Sequence, residues 1–168
     1  MQLLLRLQNS EATQELGALL AESIMHSGGG VALFLKGTLG AGKTTLVRGL
    51  VSALPGGDNA EVSSPSFNIC NIYPTQPETA HYDLYRLEGA PVDDSLYDHI
   101  EDGASLTIVE WAEYLPEDAR PDHALTLAWQ PCDSGRLVTI QATGDKAETI
   151  LAELASRTAG CTVSPHAG

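Results

Sequence analysis

The sequence predicts a three-layer α/β sandwich around a mixed, mainly parallel central sheet, and three observations predict it. The run VALFLK at 31–36 is apolar throughout, as a strand covered on both faces is, and so reads as a central strand. A glycine-rich bend, GTLGAGKTT at 37–45, separates that run from LVRGLVSAL, whose apolar residues recur at helical spacing. The order strand, helix, strand, helix is then followed by a cluster of further strands. With 168 residues and 43% hydrophobic content, the chain can fill one sizeable core and is too short for two domains. A single domain over 1–157 is expected, with a flexible tail at 158–168.

Taken in order, Leu3, Leu5 and Leu7 alternate with other residues and mark a first strand. Ser10 is placed to cap the next helix, Glu11 suits its first turn, and Leu16, Leu19, Leu20 and Ile24 share one face until SGGG at 27–30 ends it. Beyond the glycine bend, Leu46, Val47, Leu50, Val51 and Leu54 mark a second amphipathic helix, stopped by PGG at 55–57. FNICNIY, TAHYDLY and SLTIVEW read as strands, with a short helix expected in the acidic stretch 88–102. HALTLAW and RLVTIQA read as two more strands joined through QPCDSG, and Ala147, Ile150, Leu151 and Leu154 mark a closing helix.

Nine Lys and Arg against 22 Asp and Glu give a formal net charge of −13, which repels a phosphate backbone and offers no basic footprint for nucleic acid. If RNA is involved, a partner protein is expected to hold it. No segment approaches the roughly 18 uninterrupted apolar residues that span a bilayer. Residues 1–8 lack the order of a secretory leader, and a cytoplasmic protein is expected. Cys70, Cys132 and Cys161 lie far apart without a CxxC pair, which suits a reducing compartment and argues against a zinc knuckle. The histidines show no ligand spacing of the HExxH kind.

The glycine bend carries the chemistry. Residues 37–44 fit G-x-x-x-x-G-K-[ST], between a buried strand and an amphipathic helix, which is where a P-loop belongs. Glycines keep such a loop free of side chains, so that backbone N–H groups can wrap a phosphate chain, and the helix start adds its positive dipole end. Leu39, Gly40, Ala41, Gly42, Lys43, Thr44 and Thr45 are therefore the expected cradle, making the sandwich one of the P-loop NTPase type. Lys43 can reach the β and γ phosphates, and the Thr44 hydroxyl can bind Mg²⁺. A carboxylate from a neighbouring strand end is needed beside it, and Glu110, ending the apolar LTIVE, is placed as a Walker B acid. Asp83 in HYDLYR is the second candidate, with His81 and Tyr85 expected on its face of the strand. The VSSPSF segment at 62–67 combines hydroxyls and a proline, as loops switched by a γ-phosphate do. Trp111 and Tyr114, read from the residues alone, are packing aromatics.

GTLGAGKTT, VSSPSF, HYDLYR and IVEW, in this order and at these separations, resemble the bacterial TsaE family of P-loop ATPases. The resemblance implies a Mg-dependent ATPase needed to place the N6-threonylcarbamoyl group on adenosine 37 of tRNA. It implies joining the TsaD and TsaB proteins, with tRNA met only indirectly through that complex. It carries Lys43, Thr44 and Glu110 over as phosphate and metal residues, Asp83 as a catalytic residue and Ser66 as part of the switch-like loop. Nucleotide contacts near the first helix start and in the late hairpin suggest Ser10, Thr13 and the Gly135–Arg136 turn. Two positions depart from the family pattern: Thr38 where an acid is frequent, and Ser66 where threonine is usual.

Other readings stay open at this stage. A GTPase would be expected to carry N-K-x-D, and neither that motif nor TKxD occurs. A small-molecule kinase would need an acceptor pocket and an arginine-rich lid, and the arginines do not cluster. A module whose ATP occupancy, rather than hydrolysis, controls docking would share every motif with the ATPase.

Overall fold

The computed structural model describes residues 1–88 and 90–159. Seven strands form one sheet: β1 (Gln2–Leu7), β2 (Ala32–Lys36), β3 (Cys70–Tyr73), β4 (Thr79–Asp83), β5 (Leu106–Glu110), β6 (Ala124–Gln130) and β7 (Arg136–Thr143). Four helices accompany them: α1 (Ser10–His26), α2 (Lys43–Ala53), α3 (Asp94–Asp102) and α4 (Asp145–Arg157). The strand order is β1-β7-β6-β2-β5-β4-β3. β6, β2, β5 and β4 run parallel, while β1, β7 and β3 pair antiparallel at the two sides. The mixed sheet with a parallel centre is the predicted one.

β2 lies inside the sheet and is covered on both faces, which is why VALFLK carries no alternation. Leu33 and Leu35 join the core beneath α1, α2 and α4, whereas Ala32 and Phe34 join a smaller core with Leu96 of α3. Side chains alternate across a strand, so these two sets make the three layers. The α1–α2 contact is close: a Cβ on Gly17 would collide with the Leu46 carbonyl, and one on Gly49 with the Gln14 carbonyl. Larger residues there would push α2 away from its brace.

Several boundaries differ from expectation for local reasons. Asn9, not Ser10, caps α1, its Oδ1 accepting the Ala12 amide at 2.9 Å, and Ser10 is the first helical residue. β3 starts only at Cys70, because residues 66–68 form a turn closed by the Ile69 amide, which donates to the Pro65 carbonyl at 2.6 Å. β4 ends at Asp83, so Tyr85 leaves the strand and enters a short 3₁₀ turn, Tyr85–Leu87. β5 ends at Glu110 because Trp111 adopts φ 57°. Thr158 is buried and its amide closes α4 on the Leu154 carbonyl, while the expected tail from residue 160 onward, with Cys161, lies outside the described residues. Cys70 and Cys132 are free thiols.

Candidate nucleotide-binding site

The carboxyl ends of parallel strands are where α/β sheets place ligands, and here β2, β5 and β4 end together. Register brings Leu35 opposite Glu110 and Glu110 opposite Asp83, so both carboxylates emerge on the α2 side at the same level as the glycine loop. A cavity of similar volume opens at the other end, near Gly30, Arg120 and His123, and none of the sequence-predicted residues reaches it.

Leu39, Gly40, Ala41, Gly42, Lys43, Thr44, Thr45, Ser66, Asp83 and Glu110 line one cleft of about 430 Å³. Gly135 lines an adjoining recess of about 240 Å³, which shares Leu39, Gly40, Ala41 and Arg136 with the cleft. Ser10 and Thr13 line neither: Ser10 is exposed at the start of α1, and the fully buried Thr13 gives its hydroxyl proton to the Asn9 carbonyl at 3.1 Å.

α2 is preceded by Gly42 at its N-cap, whose φ of 114° a side chain would strain. A Cβ there would also stand 3.3 Å from Arg136 Nε and 3.6 Å from Trp129 Nε1. The cradle is thus open because position 42 is glycine. Beside it the buried Trp129 indole N–H lacks a partner, a donor left available next to the glycine loop. A phosphate chain fits these groups.

Lys43 donates to the Gly37 carbonyl at 2.6 Å and the Thr38 carbonyl at 3.0 Å, and its ammonium lies 4.3 Å from the Trp111 ring centroid. Burial pushes its pKa below the ordinary lysine value, against the opposing pull of the Glu110, Glu113 and Asp83 carboxylates. Glu110 is only 3% exposed, and its Oε1 accepts from Thr44 Oγ1 at 2.8 Å and His81 Nε2 at 3.0 Å. Asp83, 4% exposed, accepts from Ser64 Oγ at 2.7 Å through Oδ2 and from the Tyr85 amide at 2.9 Å through Oδ1. Two buried acids are tolerable because each is hydrogen-bonded twice and faces a lysine. The Thr44–Glu110 pair offers a hydroxyl and a carboxylate, the hard oxygen donors that Mg²⁺ prefers.

Some residues of the site escape sequence reasoning. Trp111, read as packing, stacks on Tyr114 and carries the Lys43 cation. Its position directly after the strand-end acid was the available signal. Ser64, not Ser66, is the hydroxyl bonded to Asp83, although both line the cleft. Arg86 also lines it, 4.3 Å from the exposed Phe67 ring, together with Arg136 of the turn that the resemblance suggested. Arginines that do not cluster in sequence thus line one cleft.

The family model for "Threonylcarbamoyl adenosine biosynthesis protein TsaE" matches residues 7–138, from the end of β1 into β7 and across the whole cleft. The chain belongs to the TsaE family. A relative from Bacillus subtilis is 32% identical over 154 residues, covering 91% of this chain and 94% of its own. One from Streptomyces coelicolor is 37% identical over 119 residues, covering 65% and 73%. One from Rickettsia felis is 35% identical over 113 residues, covering 67% of this chain and 64% of the relative. All three are tRNA threonylcarbamoyladenosine biosynthesis proteins TsaE. The crystal structure of Bacillus subtilis YdiB superposes with a TM-score of 0.71 at 28% identity, covering 94% of this chain and 96% of that one. The TsaE-family fold is therefore that of a P-loop NTPase-like α/β protein, and its role belongs to threonylcarbamoyladenosine biosynthesis. Among the described residues no helix is long and apolar enough to cross a membrane.

Proposed function

We propose that this TsaE-family chain is a Mg-dependent ATPase that supports N6-threonylcarbamoyladenosine modification of tRNA as a partner of the TsaD and TsaB proteins. The observation that carries the reading is the Thr44–Glu110 pair, 2.8 Å apart beside the glycine loop and next to Lys43. Among the described residues no group of three or more His, Cys, Asp or Glu forms an all-protein cage. Mg²⁺ commonly takes one or two protein ligands and leaves the rest to phosphates and water. Thr44 and Glu110 would hold Mg²⁺, which supplies charge neutralisation at phosphate oxygens.

The chain's own groups do the remaining work. Lys43 and the loop amides stabilise charge on the transferring phosphoryl group. Asp83, fixed by Ser64 and the Tyr85 amide, orients the attacking water, and Ser66 stands where the loop meets the γ-phosphate. Arg86 and Arg136 add cations at the mouth. Turnover by the chain alone is slow, and the partners raise it.

The test is ATP hydrolysis by the chain alone, by Lys43→Ala, and by each combination with TsaD and TsaB. Slow basal turnover, abolished in Lys43→Ala and raised in the complex, is expected. Failure to associate under any nucleotide condition would remove the partner reading, and preference for GTP would remove the ATP assignment. Because Ser64 ties residues 62–67 to Asp83, occupancy alone could set the loop. Assembly with a non-hydrolysable analogue that matched assembly and release with ATP would make binding, not hydrolysis, the working step.

A further inference from the structure

Behind the Thr44–Glu110 pair runs a buried polar chain that the ATPase reading leaves unused. His81 is fully buried on β4, with Nε2 3.0 Å from Glu110 Oε1 and Nδ1 3.0 Å from the Tyr73 hydroxyl. Tyr73, 3% exposed on β3, also lies 3.2 Å from the Ser63 carbonyl, which Asn71 Nδ2 reaches at 3.2 Å as well. Strand register makes the chain possible. Tyr73 pairs with Thr79, His81 with Ile108 and Asp83 with Glu110, so Tyr73, His81 and Glu110 step diagonally along one face of three adjacent strands.

The protons can be counted. The Glu110 carboxylate accepts, so Nε2 of His81 carries a hydrogen; in the Nε2–H tautomer Nδ1 is then an acceptor. Tyr73 has one hydroxyl proton and two acceptors for it, His81 Nδ1 and the Ser63 carbonyl. Given to His81, the proton completes the support of Glu110. Given to Ser63, it straps down the loop that carries Ser64 and Ser66. Apolar side chains would pack this face without such a conflict, since a buried polar group costs free energy unless it is bonded.

We propose that His81 is the positioning residue for Glu110, and that the Tyr73 hydroxyl, shared between His81 and the Ser63 carbonyl, couples the carboxylate beside the nucleotide to the 62–67 loop. The inference rests on the Mg·ATP reading above. His81 orients Glu110, and the loop senses that orientation through which acceptor holds the Tyr73 proton.

The experiment measures ATP affinity by calorimetry with Mg²⁺ and with EDTA, and amide hydrogen exchange of residues 62–69, in the full chain. His81→Ala is expected to weaken Mg²⁺ affinity about 10- to 100-fold, the usual effect of losing a partner behind a metal ligand, with metal-free ATP affinity within about twofold of the parent. His81→Gln, which keeps a donor near the Nε2 position, is expected to restore most of that loss. Tyr73→Phe keeps the ring and should abolish the change in loop exchange produced by Mg·ATP. Both conservative variants preserve volume, so the test stands if His81→Ala fails to fold. Parent-like Mg²⁺ affinity in His81→Ala, no recovery in His81→Gln, or an unaltered loop response in Tyr73→Phe each overturns the coupling. A parent protein that binds no ATP at all removes the underlying reading and this inference with it.

Discussion

Lys43 is held between burial, which disfavours its charge, and three carboxylates, which favour it, with burial the larger effect. Its folded pKa lies below that of free lysine, so as pH rises the ammonium is lost earlier than that of a free lysine. Nucleotide affinity is therefore expected to fall on the alkaline side before pH 10.5, the ordinary value, and Lys43→Ala should flatten that limb in a pH series of binding titrations. At neutral pH the same variant should lose about 100-fold in ATP affinity, since truncating one partner of a buried charged contact costs about 2–5 kcal/mol. Glu110 differs in also anchoring its neighbours. Glu110→Ala leaves the Thr44 hydroxyl and His81 Nε2 without their acceptor, so it should weaken Mg-dependent turnover and also cost about 1–3 kcal/mol in urea unfolding. Glu110→Gln retains an acceptor and should show the functional loss with a smaller stability loss.

At the level of elements, the site depends on how closely α1 braces α2. Lys43 and Thr44 occupy the first turn of α2, and Gly49 lies one and a half turns further along, facing the α1 backbone at Gln14. Gly49→Ala gains helix propensity of up to about 1 kcal/mol, but its Cβ meets backbone, which cannot rotate away. Overpacking is the larger effect, and a net loss of about 1–3 kcal/mol is expected in denaturant unfolding. Displacement of α2 would carry Lys43 and Thr44 with it, so ATP affinity should fall in the same variant although position 49 touches no ligand. Gly28→Ala, whose Cβ meets nothing within 4 Å but whose φ of 82° strains a side chain by about 1–2 kcal/mol, should lose stability while leaving ATP affinity unchanged, and serves as the control.

For the whole molecule, charge governs what the surface can approach. A net charge of −13 is distributed over a chain whose arginines at the cleft mouth, Arg86 and Arg136, are few against its acids. Unassisted binding to tRNA is therefore expected to be undetectable in a mobility-shift assay at physiological salt, with retention appearing only when TsaD and TsaB are added. Direct, salt-sensitive tRNA binding by the chain alone would contradict the proposed indirect role.

Much of this protein is written locally. GTLGAGKTT specifies the open glycine loop on which the proposed phosphate cradle rests, because glycine freedom and a helix start act over a few consecutive residues. The apolar runs specify buried strands, and LTIVE delivers its acid to a strand end. The adjacency of Glu110 to Thr44, of Asp83 to Ser64 rather than Ser66, and of Trp111 to Lys43 was decided only by the folded chain. So was the line from Tyr73 through His81 to Glu110. Alternation along a strand fixes which face a side chain takes, but not which strand lies beside it or at what register. The order β6-β2-β5-β4 settles the first and the pairing between these strands the second, and both are set by packing between residues distant in sequence on the two faces of the sheet.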